Sequence, residues 1–304
     1  RYDDIRPCIG CNECLRLGHF GRNLSCSVNP VVHHEDDFPL TPDEKHQSLL
    51  IIGGGCGGMM AALTAAKRGM RPEIWEKTDE LGGMLLAAGA PEFKKDVMKY
   101  VEYLKHQVAK AGVTVRYGKD ATASEIAAAG FDRVLIATGA AANVPNIPGV
   151  ENAVEAIPVL RGQCSIGDEC VIIGGGVVGV ETALHLDRLG KKVTVTVRSS
   201  LKYADESVNN VQCLTDMLKA SSVKVIEGAT PVEIGKDSVT FDVNGEKTTL
   251  HSDTTVLATG YHPLNALARE LEEMDIDCEI IGNAVKARKI INATGEAYLA
   301  VRRM

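Results

Sequence analysis

Residues 48–58 read SLLIIGGGCGG. The apolar run 49–52 predicts a buried strand, and the glycines behind it predict a tight turn that opens a helix. Gly53, Gly55 and Gly58 keep the spacing G-x-G-x-x-G. In that spacing the first glycine makes the turn, the second lets backbone approach a pyrophosphate, and the third lets helix pack on strand. The helix, expected over 59–68, then offers unpaired N–H groups and a positive dipole end to phosphate. A second strand, 72–75, runs into Glu76, where a carboxylate can accept bonds from ribose hydroxyls. Glycine spacing alone is a weak sign. Strand, turn, helix, strand and acid in sequence predict a dinucleotide-binding unit.

The pattern returns. Residues 170–173 predict a strand, Gly174, Gly176 and Gly179 repeat the glycine spacing, a helix follows over 180–189, and 192–197 is the next strand. Aligning IIGGG at 51–55 with IIGGG at 172–176 sets Glu76 over Val197 and Lys77 over Arg198. Each half also closes on A-T-G, at Ala137-Thr138-Gly139 and Ala258-Thr259-Gly260. An arginine can grip a 2′-phosphate that a carboxylate would repel, so the second site leans to NADPH over NADH.

Around these motifs the expectations are coarser. Val97, Tyr100, Val101, Leu104 and Val108 recur at helical steps and predict a helix over 91–110 capped by Gly112. Glycine-pair chemistry at Gly82-Gly83-Met84 and the proline-rich stretch 140–149 read as loops. Short strands are expected over 223–226, 232–234, 238–242 and 246–250, and a closing helix over 289–302. The fold class is α/β, with two Rossmann-like units, one inserted in the other. The expected boundaries are a cysteine segment and linker at 1–46, one nucleotide domain at 47–160 plus 255–304, and a second at 161–254.

Composition narrows the classes. The chain has 304 residues, a formal net charge of −7, 30 glycines and 4% aromatic residues. Nothing in that balance suggests a nucleic-acid or anionic-membrane surface. No apolar run reaches the roughly 18 residues that span a bilayer, and the start RYDDIRPC lacks a signal-peptide pattern, so the expected location is the cytoplasm. Four of the nine cysteines fall in the first 26 residues, as Cys8-x2-Cys11-x2-Cys14-x11-Cys26. Three close thiolates and a distant fourth fit the corners of a [4Fe–4S] cube. Zinc is the rival, although its four-cysteine sites more often come as two separated pairs. Cys56 reads as a packed side chain, and His33 and His34 as solvated loop residues. Within 47–304 no two cysteines stand at C-x-x-C spacing, which removes a redox-active disulfide from the candidates.

RPCIGCNECL at 6–15, SCSVNP at 25–30 and the paired fingerprints resemble the non-barrel part of the 2,4-dienoyl-CoA reductase, 2-enoate reductase and trimethylamine dehydrogenase group. These are multidomain relatives of old yellow enzyme. The resemblance spans the whole chain. It implies that Cys8, Cys11, Cys14 and Cys26 ligate [4Fe–4S]. It also implies that Gly53, Gly55, Gly58, Glu76, Gly83 and Met84 line an FAD site, with Gly282 and Asn283 near the flavin ring. Gly174, Gly176, Gly179 and Arg198 would hold NADP or NAD. Lys77 and Gly139 complete the candidate cofactor contacts. The family carries FMN and the substrate site in a TIM barrel that this sequence does not contain, so a barrel in cis or trans is the expected partner, with a homo-oligomer possible.

The implied activity moves electrons from NAD(P)H through FAD to the cluster, and on to a barrel that reduces an activated C=C bond. No conventional acid–base residue is expected to be catalytic. The short gap between Cys11 and Cys14 resembles the amine dehydrogenases instead, in which the first site can hold only ADP. The usual Gly-Asp is Gly282-Asn283 here. A non-catalytic nucleotide-binding domain is the third reading.

Overall fold

The computed structural model describes residues 2–19, 21, 23–201, 203 and 206–304. The chain forms two compact units. The first comprises Arg1–Gly89, Lys94–Ala141 and His262–Met304; the second comprises Ala90–Phe93 and Ala142–Tyr261.

The first unit is built on a five-stranded parallel sheet. Its strands lie in the order Cys278–Ile280, Arg133–Ile136, Ser48–Ile52, Arg71–Trp75, Thr114–Arg116. The central strand is apolar throughout because both its faces are covered. Leu49 and Ile51 point into a core shared with Met59, Tyr100, Leu104, Ala297 and Val301. Leu50 and Ile52 point the other way, toward Trp75, Ile126, Ala268 and Leu271. The strand's two-residue period thus feeds two cores from one run of sequence.

The second unit repeats this sheet, in the order Ala153–Glu155, Thr254–Leu257, Glu169–Ile173, Lys192–Val197, Lys224–Glu227. Helices cover one face. An antiparallel meander, Ala229–Ile234, Ser238–Val243 and Glu246–His251, covers the other, with Val239 and Phe241 packed on Val171, Ile173 and Leu257.

Three expectations need correcting. The fingerprint helices run Cys56–Lys67 and Val177–Arg188, so each starts about one turn before the reading from sequence. The third glycine of each motif lies inside the first turn, which is how helix and strand come close. A helix Glu13–His19 lies in the cysteine segment, where no periodicity is visible; Glu13 stands in its first turn, where the helix dipole favours an acid. Finally, residues 142–160 and 255–261 go with the second unit, because Ala153 pairs with Thr255 in its sheet.

The helix Lys95–Lys110 buries the five predicted residues Val97, Tyr100, Val101, Leu104 and Val108. Tyr100 is fully buried, and its hydroxyl has no hydrogen-bond partner among the described residues. A buried donor left unmade is costly, so Tyr100→Phe should raise the stability of the first unit, by about 1 kcal/mol. Trp75, the chain's one tryptophan, lies buried in that unit. Its fluorescence in a urea titration measures the change, and a lower midpoint for the variant would count against an unmade bond.

Candidate functional site

The first fingerprint closes on itself through backbone. Gly53 N–H donates to Trp75 O at 2.8 Å, and Ala137 N–H donates to Ile52 O at 2.8 Å. Gly53 has φ +109°, and a Cβ there would lie 2.4 Å from Ala137 O. The A-T-G element therefore lies directly over the first glycine. A Cβ on Gly58 would lie 1.9 Å from Gly53 O. Gly55 caps the helix without a side-chain bond, and a Cβ there would meet nothing within 4 Å.

Other parts of the chain converge on this turn. Glu76 is buried; its Oε2 accepts Gly54 N–H at 2.7 Å, and its Oε1 accepts both Thr78 N–H and Thr78 Oγ1 at 2.8 Å. Gly82 N–H donates to Gly54 O at 2.9 Å, which brings Gly83 against Gly55. Asn283 Nδ2 reaches Met84 Sδ at 3.7 Å, and Asn283 Oδ1 accepts Arg288 N–H at 3.0 Å. Gly282 N–H donates to Glu296 Oε2 at 2.8 Å, and Glu296 also pairs with the Arg288 guanidinium. Gly53, Gly55, Gly58, Glu76, Gly83, Met84, Gly282 and Asn283 thus form one constellation. Gly139 ends the first A-T-G element, and its carbonyl accepts Leu264 N–H at 3.0 Å. Lys77 is exposed beyond Glu76.

The second fingerprint repeats the geometry with one exchange. Gly174 N–H donates to Thr196 O at 3.0 Å, a Cβ on Gly174 would lie 2.3 Å from Ala258 O, and one on Gly179 would lie 2.0 Å from Gly174 O. Gly176 again faces open space. The strand registers Ile52↔Trp75 and Ile173↔Thr196 make Glu76 and Val197 equivalent, so the alignment read from sequence holds in space. Arg198, one residue on, is exposed and has no ion pair with a described residue.

In the cysteine segment none of the four cysteines forms a disulfide. Gly10 (φ +63°) and Asn12 (φ +56°) are both left-handed, and Gly10 N–H donates to Cys8 Sγ at 3.4 Å. Left-handed turns of this kind aim backbone N–H groups into a concavity, a setting common to iron–sulfur sites. Cys11 Sγ donates to Ser27 Oγ at 3.2 Å. Burial pushes the Cys11 thiol up, against the opposing hydrogen bonds from Ser27 and the Glu13 backbone. Among the described residues no three His, Cys, Asp or Glu side chains are grouped to hold a metal ion. The fit to a cluster therefore rests on donor chemistry and the loop.

Residues 47–291 match the pyridine nucleotide-disulphide oxidoreductase family. The chain belongs to that family. FAD and NAD(P) are the cofactors this membership supports. Cinnamate reductase of Clostridium sporogenes is 33% identical over 308 residues, covering 98% of this chain and 45% of that protein. NADH oxidase of Thermoanaerobacter brockii is 35% identical over 318 residues, covering 98% and 48%. A solved 2-naphthoyl-CoA reductase superposes with a TM-score of 0.95 at 28% identity, covering all of this chain and 47% of that one. The chain thus spans about half the length of the relatives it matches, as the non-barrel part of old yellow enzyme relatives. No helix among the described residues is long and apolar enough to cross a membrane.

Several residues of this pyridine nucleotide-disulphide oxidoreductase are not picked out by its sequence motifs. Arg288 and Glu296 hold Asn283 and Gly282 in place. Glu13, buried beside Cys14, pairs with Arg16 at 2.8 Å and Lys289 at 2.6 Å. Arg288, Lys289 and Glu296 belong to no glycine or cysteine motif, and Glu13 fills an unspecified position between Cys11 and Cys14. The only trace in sequence is that Arg288 and Lys289 stand a few residues after the Gly282-Asn283 pair.

Proposed function

We propose that this chain is an electron-transfer module that takes a hydride from NAD(P)H into FAD and passes electrons singly to a [4Fe–4S] cluster. The observation that carries the reading is the pair of equivalent open glycine cradles differing at one register position, Glu76 in one and Val197-Arg198 in the other. Gly53, Gly55, Gly58, Glu76, Gly83 and Met84, with Gly139, Gly282, Asn283 and Lys77, hold the flavin nucleotide. Gly174, Gly176, Gly179 and Arg198 hold the pyridine nucleotide. Cys8, Cys11, Cys14 and Cys26 are the cluster ligands. The cofactors supply hydride acceptance and one-electron transfer, while the chain supplies position and field. The lack of a C-x-x-C pair within 47–304 argues against a dithiol as the electron exit.

The electrons leave for an FMN-bearing barrel, where an activated C=C bond such as that of an enoyl-CoA or enoate is reduced. The reductases of cinnamate and 2-naphthoyl-CoA among the relatives support this substrate class. Tyr2, Ile5, Leu15 and Leu24 are large apolar residues exposed within the first 24 positions, which supports a partner surface around the cysteine segment.

An anaerobic absorbance titration of the purified chain tests the reading. Flavin absorbance should bleach first and the broad cluster absorbance second. A chain that carries no flavin, and releases ADP on denaturation, would belong with the amine dehydrogenases instead. The same titration reads the coenzyme. Arg198→Ala should weaken NADPH by about 10-fold relative to NADH, since a bidentate phosphate contact of this kind is not replaced by water. An unchanged NADPH-to-NADH ratio would remove Arg198 from the site.

A further inference from the structure

We propose that the helix Ile290–Arg303 is the frame that fixes the cysteine segment against the flavin site, with Lys289 and Glu13 as the positioning pair. The inference rests on the cofactor reading above and adds residues that no motif assigns.

One face of this helix holds the N-terminal segment. Thr294, Tyr298 and Arg302 stand four residues apart, so they form a single stripe. Thr294 Oγ1 donates to Ser27 O at 2.8 Å, Tyr298 OH donates to Phe38 O at 2.7 Å, and Arg302 Nε donates to Pro39 O at 3.1 Å. Ser27 is the residue after Cys26, and its hydroxyl accepts from Cys11 Sγ at 3.2 Å. Arg68 closes the strap by bonding Thr41 O at 2.8 Å and the carbonyl of Val301.

The other side of the helix holds the flavin constellation. Glu296 is two residues from Thr294, which at 3.6 residues per turn turns it about 200° away. It accepts Gly282 N–H at 2.8 Å and pairs with Arg288, whose own N–H holds Asn283. One rigid element therefore touches both candidate cofactor sites through opposite faces.

At the start of this helix Lys289 reaches Glu13 at 2.6 Å. The Glu13 side chain is 3% exposed and sits between Asn12 and Cys14. Arg16 and Lys289 together neutralise it. Without Lys289, Glu13 would keep only the local partner Arg16, and the segment would lose its tie to the frame. Electron transfer falls steeply with separation, so a loosened segment slows the flavin-to-cluster step and spares hydride entry.

The experiment uses the full chain, reconstituted with FAD, iron and sulfide, as wild type, Lys289→Gln and Lys289→Arg. Stopped-flow absorbance separates flavin reduction by NAD(P)H from electron arrival at the cluster, and hydrogen exchange follows residues 8–27 in the cofactor-free chain. The expected result is an unchanged first phase in Lys289→Gln, with the second phase or the bound iron lowered about 10-fold and exchange over 8–27 accelerated. Lys289→Arg should restore most of both. Wild-type second phase, iron content and exchange in Lys289→Gln would overturn the proposal. If wild type binds no cluster, the electron-transfer reading fails, and exchange over 8–27 still decides whether Lys289 ties the segment to the frame.

Discussion

Gly58→Ala will cost the first unit about 3 kcal/mol and leave the chain without bound flavin. The added Cβ would lie 1.9 Å from Gly53 O and 3.1 Å from Gly53 C, both backbone atoms that no rotamer change can move. The helix Cys56–Lys67 must then lift from the strand Ser48–Ile52. That strand is the centre of the sheet, and Met59 and Ala62 of the helix are fully buried against its core. Two companion variants separate fold from binding. Gly55 has φ −71° and open space where its Cβ would go, so Gly55→Ala should fold with the wild-type urea midpoint and lose flavin alone. Gly179→Ala meets Gly174 O at 2.0 Å and should disable the second unit's response to NAD(P)H while flavin stays bound. Trp75 fluorescence reports the first unit's unfolding, and flavin absorbance after gel filtration reports binding. A Gly58→Ala chain with wild-type midpoint and flavin would show that the helix has more room than its backbone allows.

What the sequence made legible is what backbone sterics demand. The glycine spacing, the two A-T-G elements and the exchange of Glu76 for Val197 are local consequences of a strand, a turn and a helix meeting. Each left a residue that few alternatives can replace. The buried stripe of Lys95–Lys110 was legible for the same reason, since its period is set by the helix itself. The start of each fingerprint helix was not, because glycine is a poor helix former and its presence there reflects close packing rather than propensity. The ties between distant segments were also invisible. Glu13 with Lys289 and Thr294 with Ser27 join positions more than 260 residues apart, and an exposed-looking lysine or threonine carries no mark of such a partner. Short elements such as Ala156–Leu160 and Ala266–Glu273 fell below the length at which periodicity is readable.

Serine in place of any one of Cys8, Cys11, Cys14 or Cys26 is expected to take bound iron from about four atoms per chain to near none. The four lie in one segment and are free of disulfides, and left-handed Gly10 and Asn12 turn the chain between Cys8 and Cys14. Three of the other five cysteines make the control set. Burial pushes the Cys56 and Cys170 thiols up to about 11, and neither belongs to the cysteine spacing over 8–26. Cys213 is exposed on a helix of the second unit. Cys56→Ser, Cys170→Ser and Cys213→Ser should therefore keep the wild-type iron content, measured with acid-labile sulfide on anaerobically purified protein. Flavin should stay bound in all of the N-terminal variants, since none of the four is a residue of the glycine turn, and its reduction by NAD(P)H should proceed while later electron transfer stops. Zinc in place of iron in the wild-type chain would sink the cluster assignment. Full iron in one of the four variants would mean that the ligand set has been read from the wrong cysteines. Loss of flavin along with iron would show instead that the segment is part of the nucleotide fold, and that iron was reporting on folding.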